Sequence, residues 1–157
     1  MKILIWPGHH DALDFAIKFF THGKGSHAAF LRDDNCTVHE AFWPRVRDRK
    51  LTAADRKHAE VYYIAHQTVG IANGFERLFD LNIKHDIEYS FTDLVRYAFN
   101  VPVKDERHTF CSRYVMHCVC RILPHREWPL VRLPDRDWAS PRDLRISPAL
   151  IKTTFDA

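Results

Sequence analysis

Cys111, His27 and the adjacent pair His39-Glu40 are the residues of this chain whose types could act together as a reaction centre. A thiolate is a nucleophile, an imidazole can take and return its proton, and a third polar group can fix that imidazole's tautomer and orientation. Cys111 lies in the stretch Thr109-Phe110-Cys111-Ser112-Arg113-Tyr114-Val115, which leads into a run with helical spacing. At 3.6 residues per turn Val115, Cys118, Val119 and Ile122 share one face, and Pro124 stops the pattern. Cys111 then falls in the first turn of the helix. Unpaired backbone N–H groups and the positive dipole end there favour a thiolate and can receive the oxyanion it creates. Taken alone, such a cysteine reads equally as a small buried apolar residue. The histidine and its partner decide between the two.

Those partners need elements to hold them. Residues 26–31 read as a strand, Asp33-Asp34-Asn35 as a turn, and residues 37–43 as the antiparallel return strand. A two-residue loop puts Glu40 on the face of His27, and a three-residue loop puts His39 there instead, because side chains alternate with period two. The sequence leaves that choice open. Upstream, residues 2–6 read as a short strand and residues 11–20 as a helix with Asp11 as N-cap, ended by Gly23 and Gly25. Downstream, residues 44–57 read as a charged, solvated loop, 59–65 as a strand, and 67–81 as an amphipathic helix interrupted by Gly70 and Gly74. Residues 82–89 read as a connection and 91–99 as a helix. Beyond Pro124 recurring prolines predict an extended or looped tail, with a helix start at Ser140-Pro141-Arg142-Asp143-Leu144.

Composition bounds the rest. A chain of 157 residues with 46% apolar and 13% aromatic residues can close a hydrophobic core, and it reads as a single domain over 1–157. The net charge of +3 is spread along the chain. Its densest basic stretch (Arg45, Arg47, Arg49, Lys50, Arg56, Lys57) is interrupted by Asp48 and Asp55, which argues against a nucleic-acid surface. Four cysteines show neither disulfide-framework nor zinc-ribbon spacing, and eleven histidines include no His-Glu-x-x-His, so no metal site is expected. The apolar run at residues 3–6 is too short for a signal peptide, and no stretch approaches the ~20 apolar residues of a membrane helix. The expectation is a cytoplasmic protein without a transmembrane segment.

Four stretches together resemble a known family. Gly25-Ser26-His27-Ala28-Ala29-Phe30, Val38-His39-Glu40-Ala41, Phe110-Cys111-Ser112-Arg113-Tyr114-Val115 and Ser140-Pro141-Arg142-Asp143-Leu144 are similar to motifs of the circularly permuted papain-like enzymes, relatives of the NlpC-type cell-wall peptidases and of lecithin:retinol acyltransferase. Papain-like chains run cysteine first; here histidine comes first, as the permutation requires. The resemblance implies an α+β fold with a small antiparallel sheet packed against helices. It implies a cysteine hydrolase of amidase or peptidase type with Cys111 as nucleophile, His27 as base and acid, and Glu40 as orienting residue. In acyltransferase-type members a second histidine takes that third role, which keeps His39 in play. Tyr89 and Ser112 would contact substrate. Ser90 stands where an Asp is common, and Arg113 where many bacterial members carry Glu. The implied chemistry passes through a thioester acyl-enzyme, needs no cofactor, and acts on a small-molecule, peptide or lipid acyl substrate. The alternatives are a lipid acyltransferase or thioesterase of the same fold, and an inactive relative that binds peptide or lipid in the groove.

Overall fold

The computed structural model describes residues 1–7, 27–65, 67–98, 101, 108–123 and 140–155. The helix expected over 11–20 lies outside them, as does the tail from 124 to 139. Eight strands form one sheet: β1 (Lys2–Trp6), β2 (His27–Leu31), β3 (Thr37–Phe42), β4 (Arg45–Lys50), β5 (Glu60–Ile64), β6 (Glu88–Tyr89), β7 (His108–Thr109) and β8 (Leu150–Thr153). Their order is β7-β6-β4-β3-β2-β1-β5-β8. Every neighbouring pair is antiparallel except β6 and β7. Five helices are described: α1 (Ala53–His58), α2 (Val69–Lys84), α3 (Phe91–Ala98), α4 (Cys111–Ile122) and α5 (Pro141–Arg145). The fold is α+β, as expected, but its sheet is not small.

The sheet buries both faces. Ile3, Ile5, Ala28, Phe30, Ala41, Val46, Tyr62 and Ile64 pack with Phe75, Leu78 and Phe79 of α2 and Tyr114, Val115, Cys118 and Val119 of α4. On the other face Leu4, Trp6, Ala29, Leu31, Val38 and Val61 form a thinner layer with Leu51, Ala59 and Phe155. Two buried faces explain why β1 reads as an unbroken apolar run and not as an alternation. Inside α2, Gly74 meets Ile122 of α4: a Cβ there would lie 3.4 Å from Ile122 Cγ2. The glycine lets the two helices approach.

Two expectations are corrected. Residues 44–57 are not a loop: they form β4 and α1. Val46 turns inward and is buried, and the flanking arginines pair with carboxylates. Thr52 caps α1, its hydroxyl accepting from the Asp55 N–H while the Asp55 carboxylate accepts from the Thr52 N–H. The loop between β2 and β3 has neither length expected. Leu31 pairs with Val38 and Phe30 with His39, which leaves residues 33–36 as a four-residue loop. Asp34 holds it, accepting from the Cys36 and Thr37 N–H groups at 2.8 Å each, and Asn35 adopts a left-handed φ of 53°. Four residues have the parity of two, so Glu40 falls on the face of His27 and His39 on the other.

Phe79 is fully buried against Phe30, Phe75 and His39 where α2 meets the sheet. Phe79→Ala should cost about 3–5 kcal/mol in urea denaturation; a loss below ~1 kcal/mol would show that this contact does not hold the helix layer to the sheet.

Candidate active site

Cys111 is the first residue of α4 and is buried. The N-cap, Phe110, offers no side-chain hydrogen bond, and the first turn carries no acidic residue. No carboxylate of the first turn therefore offsets the positive end of the helix. His27 opens β2, with 17% of its side chain exposed, and its ring hydrogen-bonds to both Cys111 and Glu40. Its Nε2 lies 2.9 Å from Glu40 Oε2. Because an ionised carboxylate only accepts, Nε2 donates there and Nδ1 is the nitrogen left for the sulfur.

Glu40 is 1% exposed and its charge is held by a cage of donors. Oε1 accepts from Arg47 Nε (3.1 Å), Arg47 Nη2 (3.0 Å) and Arg49 Nε (2.9 Å). Arg49 is fixed from behind by Asp55, at 2.6 and 3.0 Å. Burial opposes the ionised form of Glu40, but the His27 hydrogen bond, the His27 charge and Arg49 outweigh it, and the carboxyl drops from 4.5 to about 2. Burial likewise opposes the imidazolium, yet the hydrogen bonds to Cys111 and Glu40 and their charges raise His27 from 6.5 to about 9. Aromatic rings bound the imidazole: Trp6 at 5.2 Å and Phe42 edge-on at 5.8 Å. Arg47 lies over Phe42 and Arg49 over Trp6, at 4.5 and 5.8 Å.

His39 does not share this arrangement. It stacks on Phe79 at 4.1 Å on the opposite face, with Nδ1 2.6 Å from Asp48 and Nε2 2.6 Å from the Tyr114 hydroxyl. Tyr89 comes to the corner of Cys111 through the parallel pairing of β6 and β7, opposite Thr109. It packs with Leu94 and Phe110, and burial together with the nearby Cys111 keeps its hydroxyl protonated. Ser112 is buried, and among the described residues its Oγ has no hydrogen-bond partner. Sequence reasoning missed Arg47, Arg49 and Asp55. The alternation along β4 and the Thr52-x-x-Asp55 cap were the signals available for them.

The two titrating partners set a pH window. His27 contributes stability that is complete below its ordinary 6.5 and is lost as pH rises through about 9. Glu40 contributes stability that is complete above 4.5 and is lost as pH falls through about 2. The Tm margin of wild type over His27→Gln should therefore be widest between pH 4.5 and 6.5 and narrow through about 9. A margin that grows on the alkaline side would contradict the pairing. No family model matches the chain, and no curated protein matches it. Among solved structures it is similar to one described as metalloprotein yiiX from Escherichia coli O157:H7, DUF1105, with a TM-score of 0.66 and 17% identity over 98% of this chain and 94% of that one. At that identity the likeness is one of fold alone.

Proposed function

We propose that this chain is a cysteine hydrolase of circularly permuted papain-like type, acting on an amide or ester bond. The observation that carries the reading is His27, hydrogen-bonded between Cys111 and the caged carboxylate of Glu40. The order of the three residues along the chain supports the permuted topology. His27 holds the proton from Cys111, and the thiolate attacks the substrate carbonyl carbon. The oxyanion is met by the Cys111 backbone N–H at the start of α4, with the Tyr89 hydroxyl at the same corner as a second donor. The tetrahedral intermediate collapses as His27 passes the proton to the departing amine or alcohol. Water, deprotonated by His27, then cleaves the thioester and returns Cys111. Glu40 keeps the imidazole in one tautomer throughout and stabilises it when charged.

Phe42, in contact with His27 and Arg47 and 37% exposed, offers apolar surface beside the base. That suits an acyl or peptide substrate better than a polyanion. The neighbour of known structure is described as a metalloprotein. Among the described residues of this chain no group of three or more His, Cys, Asp or Glu side chains is placed to hold a metal ion. Glu40 also has both oxygens occupied and two guanidinium groups against it, which opposes a further cation. The donor set does not fit a metal, and its chemistry is not carried over.

Iodoacetamide labelling of each cysteine, followed by mass spectrometry, tests the reading. Cys36 is an exposed reference thiol, and Cys118, which burial pushes up to about 12, stays protonated and slow. Cys111 should label faster than Cys36 near neutral pH, and His27→Ala should slow it about tenfold or more. Equal rates at Cys111 and Cys36, or indifference to His27, would leave a papain-like shape without its enzyme.

A further inference from the structure

His39 and Glu40 are neighbours on β3, and each grips a different half of the candidate site. Glu40 orients His27 on one face of the sheet. On the other, His39 reaches Tyr114, which stands three residues after Cys111, so the two lie about one turn apart on α4. The contact belongs to a continuous chain of hydrogen bonds. Asn82 Nδ2 of α2 donates to the Tyr114 hydroxyl at 2.7 Å and to Cys118 Sγ at 3.7 Å, and His39 Nδ1 lies 2.6 Å from Asp48. Asp48 is itself tied to Arg32 at 2.6 Å.

Asp48 is held ionised: burial opposes its charge, but His39 and Arg32 outweigh burial, so its carboxylate accepts from His39 Nδ1–H. His39 Nε2 and the Tyr114 hydroxyl, which burial holds protonated far above its ordinary range, share the next hydrogen bond. The Tyr114 oxygen in turn accepts from Asn82. The two bonds hold the Tyr114 hydroxyl between His39 of β3 and Asn82 of α2. The contacts of Val115 and Val119 with the sheet are apolar and carry no direction of their own, whereas the bond at Tyr114 is directional.

We propose that His39 and Tyr114 are positioning residues: their hydrogen bond fixes the axial placement of α4 and thereby sets Cys111 against His27. This rests on the cysteine-nucleophile reading above. Neither residue touches the reacting atoms. Small displacements of a nucleophile from its base are costly, which gives such a bond leverage beyond its own strength.

The test is the ratio of Cys111 alkylation rates by iodoacetamide at about pH 6 and about pH 9, measured on the full chain. A thiol of ordinary pKa, ~8.5, is almost wholly protonated at the lower pH and largely ionised at the higher, so the ratio reports the His27 contact and cancels probe access. Tyr114→Phe and His39→Gln should each lower the ratio about tenfold while Cys118 stays slow, marking an intact fold. Leu150→Ala, a core change on the edge strand β8, should lower Tm and leave the ratio alone. A fall smaller than about threefold in a folded Tyr114→Phe or His39→Gln protein overturns the positioning role. If wild-type Cys111 itself shows no His27-dependent reactivity at the lower pH, the nucleophile reading fails first. If it does and the variants keep it, only the positioning role falls.

Discussion

A carboxylate with almost no contact with water sits at the centre of this structure. Glu40 would be a liability in the sheet if it were alone, since burying a charge costs several kcal/mol unless it is paired and hydrogen-bonded. Four N–H groups from His27, Arg47 and Arg49 meet its two oxygens. That requirement fixes much else. It needs β4 beside β3 in a register that brings Arg47 and Arg49 to Glu40, and it needs α1, because Asp55 holds Arg49 in place. It also needs the His27 end of β2 to lie against β3. The imidazole is thus oriented by a structure that extends well behind it.

The alternation of one strand does the sorting. Val38 and Glu40 turn to the thinner layer, while His39 and Ala41 turn to the helices. Adjacent polar residues therefore serve opposite sides of the sheet. The base is organised on one side and the cysteine helix is anchored on the other. The tight loop at residues 33–36 sets this parity, with Asp34 acting as its internal brace.

Much of this was legible in the sequence, and for physical reasons. The cysteine helix has a clear 3.6 period and a proline stop, so its start was found to within two residues. The hairpin of β2 and β3 carried two short apolar, strand-forming runs around an Asp-Asp-Asn turn. Its loop length was not legible, because Asp33, Asp34, Asn35 and Cys36 satisfy the chemistry of several turns, and only pairing with the partner strand selects among them. The stretch 44–57 was misread because its charges look solvated when their partners are unknown. Arg47 and Arg49 answer a glutamate on another strand, and Arg45 answers Asp86, 41 residues away. The choice between Glu40 and His39 likewise needed the fold, since only the strand register shows which of two adjacent residues shares the face of His27.

His27 and Glu40 are 13 residues apart, within one hairpin, whereas the sulfur comes much later in the chain, after β4, β5 and α2. As the polypeptide is made, the imidazole and its carboxylate can meet early, by a local and rapid pairing. The sulfur can join them only once residue 111 and the helix it opens have been made. A chain made only as far as α2 therefore carries the imidazole and its carboxylate without the thiol, and the sulfur is the last of the three groups to arrive.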